Sequence, residues 1–207
     1  KLAGELPPVL LRAQSLAAVL DGMSVFIGPG ELIVGNQASR PRAAPIFPEY
    51  SWEWIYAELD SLPEREADRF LVPPVTREVL QTILPLWRGR SFRERAIRAL
   101  PDGVLRAQEI LVFLLTSVSC GVGHLAPDYS RVLNEGLEEL IGRAERRLNA
   151  LDLTDPASLQ QRDFFRAAIE VGRAAIRFAH RYADLALRVA EGEESASDTR
   201  VRIDGRD

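Results

Sequence analysis

Lysine is almost absent from this chain: Lys1 is the only one among 26 basic residues, and arginine supplies the rest. That reads as a coding bias of the source genome and excludes nothing. Cysteine is equally scarce, and a lone Cys120 excludes both an intramolecular disulfide framework and a cysteine-rich metal site. Two histidines, His124 and His180, leave little for a zinc or iron centre. The longest apolar run, from Ile110 to Leu115, falls far short of the roughly 20 residues that cross a bilayer, so no membrane partner is expected. No basic-then-apolar leader opens the sequence, and its start on Lys1 suggests a piece of something longer. A global excess of positive charge is missing too. With net charge −4 and pI near 5.4, nucleic acid is not an expected partner.

What is present is ordinary globular composition: 207 residues, 46% hydrophobic and 27% charged. That length favours one domain or slightly more, burying roughly 70% of the unfolded surface. The expected location is the cytoplasm. No repeat with a period of 20 to 50 residues is visible, which removes solenoids.

The pattern is mainly helical. Pro7-Pro8 opens a first helix, with Leu11, Ala13, Leu16, Ala17 and Leu20 on one face and Asp21-Gly22 at its end. Two β-like runs, Ser24 to Ile27 and Glu31 to Val34, flank Gly28-Pro29-Gly30 and predict a hairpin. Ser51 is placed to cap a helix carrying Trp52, Ile55, Tyr56 and Leu59. Three more helices are expected from Pro74 to Leu115, broken near Gly89 and near Pro101-Asp102. Arg88, Arg90, Arg93, Arg95 and Arg98 form a local basic run, read either as a solvated helix face or as a phosphate or partner patch. Further on, Val132, Leu133, Leu137, Leu140, Ile141, Ala144 and Leu148 predict one amphipathic stripe. Asp155-Pro156 then caps a long helix whose apolar residues, from Phe164 to Tyr182, exceed a single stripe and demand cover on several sides. The expected division is a body over 1–190 and an acidic, disordered tail over 191–207, where six acids face three arginines.

Few residues could carry chemistry. Gly121-Val122-Gly123-His124-Leu125-Ala126 fits the dinucleotide pattern G-x-G-x-x-G/A. Pro127 stands where the phosphate-facing helix should run, no second strand follows, and no acid lies about 20 positions on. A nucleotide site is therefore set aside. A Cys120–His124 dyad would need a helical i,i+4 pair across two glycines, so a buried structural thiol is preferred. His180 reads as a helix-packing histidine.

Longer blocks carry a resemblance. They are Glu31-Leu32-Ile33-Val34-Gly35-Asn36-Gln37-Ala38-Ser39, Arg42-Ala43-Ala44-Pro45-Ile46-Phe47-Pro48-Glu49-Tyr50-Ser51, and Gly121-Val122-Gly123-His124-Leu125-Ala126-Pro127-Asp128-Tyr129 followed by Val132, Leu133 and Gly136. Ala150-Leu151-Asp152-Leu153-Thr154-Asp155, Phe164-Phe165-Arg166-Ala167 and Phe178-Ala179-His180-Arg181-Tyr182-Ala183 continue the series. Together, from about Pro8 to Leu187, they resemble the N-terminal part of the pyruvate formate-lyase domain of glycyl radical enzymes. The likeness is to the branch containing glycerol, diol and hydroxyproline dehydratases.

The resemblance implies the helix-rich front of a ten-stranded α/β barrel, in a lyase about four times this length. It implies a protein glycyl radical installed by a radical-SAM activating enzyme, a homodimer, and a small hydroxylated substrate losing water by radical C–O cleavage. The family's radical cysteine sits in a Gly-Cys-Val-Glu-Pro-like motif and its radical glycine in Arg-Val-Ser/Ala-Gly-Tyr. This chain has neither: Cys120 has the wrong context, and Gly205 lies in an imperfect match. No cofactor is therefore expected in this segment, which is expected to be inactive alone. The position that carries over is His124, as a substrate-pocket and catalytic residue, with Cys120 and Thr116 as its pocket neighbours. The alternatives are a formate C-acetyltransferase of the pyruvate formate-lyase type and a non-catalytic helical module that binds a protein.

Overall fold

The computed structural model describes residues 6–36, 38, 43–113 and 126–193. Seven α-helices occur among them: α1 (Pro8–Gly22), α2 (Glu53–Glu58), α3 (Pro74–Ile83), α4 (Phe92–Ala99), α5 (Asp102–Glu109), α6 (Tyr129–Asn149) and α7 (Pro156–Ala190). No strand occurs among the described residues. The chain divides into two compact units, one formed by Lys1–Ala43 with Pro127–Asp207 and the other by Ala44–Ala126.

The first unit is built on α7, whose 35 residues extend about 52 Å at 1.5 Å each. Its start follows from sequence: the Asp155 carboxylate accepts the Ala157 N–H at 3.0 Å, and Pro156 occupies the first turn, where a missing N–H costs nothing. Helices α1 and α6 both pack against it, which meets the expected cover on more than one side. The buried positions of α7 include small and polar residues, Ser158, Asp163, Ala167 and Ala174, beside Ile169, Tyr182 and Leu185. Phe164, by contrast, is 59% exposed.

Helix α1 opens as expected, with the Leu10 and Leu11 N–H groups both donating to the Pro7 carbonyl at 3.0 Å. Its buried face is narrower than the leucine pattern predicts. Ala13 and Ala17 are buried while Leu11 and Leu16 stay exposed. The C-terminal end is held by α7. Arg177 forks onto Asp21 at 2.9 and 2.8 Å, and Arg181 donates to the carbonyls of Leu20 and Met23. A cation on the last carbonyls of a helix satisfies orphan acceptors and opposes the negative dipole end. The Arg177 hydrogen bond, with the charges of Arg177 and Arg181, holds the Asp21 carboxyl below its ordinary range. This tie is complete at neutral pH and is lost as falling pH protonates Asp21 below that range.

The expected hairpin does not form. The turn at Gly28-Pro29-Gly30 is present, with the Glu31 N–H donating to the Gly28 carbonyl at 3.1 Å. The Gly28 N–H, however, donates to the Glu31 carboxylate at 2.8 Å, so a side chain takes the donor a ladder would use. Leu32 and Ile33 project, 96% and 90% exposed.

Helix α6 also departs from the simple pattern. Gly136 has φ 78° and ψ 159°, a conformation essentially restricted to glycine, and it breaks the helix. The stripe expected from Val132 to Leu148 is therefore two stripes out of phase. Val132 and Leu133 are exposed, whereas Leu137, Leu140 and Ile141 line a groove of about 320 Å3 with Ala168, Val171 and Gly172 of α7. The helices approach closely there, since a Cβ on Gly172 would stand 2.8 Å from the Ile141 side chain.

The second unit has its own core of Trp52, Ile55, Leu59 and a fully buried Leu84, with Val72, Leu80 and Trp87 packed around it. Ser51 does not cap α2 as expected. The Glu53 carboxylate instead accepts the Trp52 N–H at 3.0 Å and the Ser51 hydroxyl at 3.2 Å. The three expected helices between Pro74 and Leu115 are α3, α4 and α5, separated near Gly89 and Pro101. Ser91 and Glu94 form a capping box at α4, and the Phe92 and Arg93 N–H groups donate to the Glu49 and Tyr50 carbonyls. The Gly89 N–H, with Ser91, holds the Glu94 carboxyl below its ordinary range. The buried Trp52 indole N–H lies near enough to contribute to that shift, yet it has no acceptor in bonding geometry.

Candidate functional site

The three expected site residues, Thr116, Cys120 and His124, lie outside the described residues, as does the rest of 114–125. The glycine pair that resembles a dinucleotide loop lies there too. The structure describes how the chain enters and leaves this stretch. Helix α5 ends with the Leu111 N–H donating to the Gln108 carbonyl at 3.0 Å and the Val112 N–H to the Ala107 carbonyl at 2.9 Å. That is a Schellman cap, and its left-handed position is held by Leu111 at φ 59°, where glycine is usual. A leucine there carries backbone strain of about 1–2 kcal/mol and leaves its side chain 73% exposed. On the far side, the Asp128 carboxylate accepts the Arg131 N–H at 3.0 Å and starts α6.

Other blocks of the resemblance resolve into scaffold. The Tyr182 hydroxyl, on a buried side chain, accepts the Asn36 N–H at 3.2 Å, and Asn36 Oδ1 accepts the Ala38 N–H at 3.1 Å. The Tyr182 ring stands edge-on to Phe178 at 5.2 Å. Tyr182 thus anchors Asn36 of the 31–39 block, while Arg181 anchors α1. In the 150–155 block, Asp152 accepts the Thr154 hydroxyl at 2.6 Å and its N–H at 2.9 Å, which holds its carboxyl below the ordinary range. That turn delivers Asp155 to the start of α7. These anchors were missed in the sequence, although the i,i+4 spacing of Phe178 and Tyr182 was a signal for them.

His180 is exposed on α7, which corrects its expected role as a packing histidine. Among the described residues no three His, Cys, Asp or Glu side chains gather where a metal ion could sit. No helix among them is long and apolar enough to cross a membrane.

Comparison with known proteins bears on what that scaffold belongs to. A family model described as pyruvate formate lyase-like matches residues 1–200. The probable dehydratase YbiW of Escherichia coli (strain K12) is 33% identical over 199 residues, which is 92% of this chain and 24% of that protein. The (2S)-3-sulfopropanediol dehydratase of Klebsiella oxytoca is 31% identical over 195 residues, again 24% of its length. The glycerol-bound form of the B12-independent glycerol dehydratase from Clostridium butyricum matches with a TM-score of 0.86 at 31% identity, over 93% of this chain and 25% of that one. The chain therefore spans about a quarter of the length of the relatives it matches. A family model that matches nearly the whole chain shows its membership: this chain belongs to the pyruvate formate lyase-like family.

Proposed function

We propose that this chain is the N-terminal, helix-rich portion of a glycyl radical dehydratase that removes water from a small hydroxylated substrate by radical C–O cleavage. The observation that carries this reading is the likeness to glycerol dehydratase, at TM-score 0.86 over 93% of the chain. Residues 1–190 are the portion that packs on the remainder of the polypeptide, whose ten-stranded barrel lies largely outside this chain, and 191–207 form an acidic tail. The complete enzyme is a cytoplasmic homodimer activated by a radical-SAM partner.

The radical supplies hydrogen-atom abstraction from the substrate and the return of that atom. No residue here matches either radical-bearing motif, so this chain contributes pocket and proton. In the reading proposed, His124 donates a proton to the departing hydroxyl, so that it leaves as water, and the imidazole regains the proton before the next turnover. Cys120 and Thr116 line the same pocket and shape it to the substrate.

The gene beyond codon 207 tests the reading. The expected result is an open frame that runs on into a Gly-Cys-Val-Glu-Pro-like motif and then Arg-Val-Ser/Ala-Gly-Tyr. A native stop directly after Asp207 would contradict it and favour the non-catalytic module.

A further inference from the structure

Helix α6 is two pieces joined at Gly136, and its ion pairs run across the joint. Downstream, the helix is fastened to α7: the Ile141 side chain packs closely on Gly172, and Arg173 of α7 bonds Glu145 at 2.6 Å. Upstream, the short piece 129–135 begins at the Asp128 cap, four residues after His124. Its charged side chains form a series. Arg131 lies 3.4 Å from the Asp128 carboxylate and 3.8 Å from that of Glu135. Glu135 in turn accepts a hydrogen bond from the Arg143 guanidinium, on the far side of the glycine. That last pair is the unusual one. In an unbroken helix residues seven apart share a face, whereas residues eight apart stand about 80° round the axis from each other. Glu139 and Arg146, seven apart and both downstream of the glycine, pair at 2.6 Å as a straight helix allows. Glu135 and Arg143 are eight apart and meet across the break.

We propose that Glu135 is a positioning residue: bonded to Arg143 and flanked by Arg131, it fixes the direction of 129–135 against the part of α6 that is held by α7. The chain runs back to His124 from the start of that piece, so its direction bears on where the proton donor can stand. Gly136 supplies the bend at φ 78° but cannot fix it, because glycine has more backbone freedom than any other residue. An isolated, partly exposed ion pair contributes little to stability. What this one constrains is an angle, with a carboxylate held between one guanidinium on each side of the joint. The consequence for turnover rests on the dehydratase reading; the bracing of the joint does not.

Amide hydrogen exchange on the complete polypeptide, followed by mass spectrometry, tests the brace. In Glu135→Gln the amides of 129–135 should exchange about fivefold faster than in the parent, while those of 137–149 keep their rates. Arg143→Met should match it, and the double variant should go no further than either single one, because both remove the same interaction. Glu139→Gln removes a comparable pair from the same helix without touching the joint, and should leave 129–135 at the parent's rate. In turnover, Glu135→Gln should lower kcat about threefold with KM and radical content at the parent's, since a misplaced proton donor is felt only after substrate has bound. Parent-like exchange in Glu135→Gln, an equal effect of Glu139→Gln, or additive effects in the double variant would overturn the brace. Faster exchange with an unchanged kcat would overturn its link to the site. A parent without dehydratase turnover would overturn the dehydratase reading instead, and the exchange rates would still decide for or against the brace.

Discussion

In the complete enzyme, His124→Gln is expected to lower turnover by roughly 10²–10⁴-fold, about 3–5 kcal/mol of barrier, while the radical content stays at the parent's. Glutamine keeps a hydrogen-bonding side chain of similar reach but cannot give up a proton near neutral pH. Hydroxide is a poor leaving group and water a good one, so a step that expels hydroxyl is sensitive to that loss. Radical formation does not use this proton, which is why the radical signal separates a catalytic defect from a folding or activation defect. His180→Gln serves as the control, because His180 is exposed on α7 and should leave turnover nearly unchanged. If both variants turn over like the parent, His124 is packing and the pocket assignment is wrong.

Gly136→Ala is the substitution expected to do most damage to the described scaffold. At φ 78° and ψ 159°, an added Cβ meets the backbone itself, and holding a side chain in such a region costs of order 1–3 kcal/mol. Space is not the issue, since nothing lies within 4 Å of that Cβ. For a chain of this size the expected drop in Tm is about 4–8 °C for a loss near 2 kcal/mol. The opposite outcome is informative. Alanine is the stronger helix former by about 1 kcal/mol, so a higher Tm would mean that α6 straightens freely and that packing on α7 does not impose the break.

The sequence makes the helices legible because their ends are written locally. Pro7-Pro8 and Asp155-Pro156 act within one turn, and each stands where the pattern places it. The break in α6 is legible only as a glycine, because its φ and ψ come from how the two halves meet their neighbours. Ala13 and Ala17 are buried in preference to Leu11 and Leu16, since close helix approach rewards small residues over long ones. The hairpin fails for a similar reason: alternation predicts strands only where a partner edge exists, and the Glu31 side chain closes the turn on its own terms. Leu111 sits in a left-handed cap that glycine would fill more easily, and no local rule anticipates that. The site residues are legible only through the family resemblance. Spacing alone leaves His124 beside two glycines with no visible partner.

The measurement that most directly tests the central claim is the low-temperature EPR spectrum after anaerobic incubation with a radical-SAM activase and S-adenosylmethionine. The complete polypeptide should give a glycyl doublet, and the 207-residue chain alone should give none. A glycyl doublet from these 207 residues by themselves, or its absence from the complete polypeptide, would contradict the account.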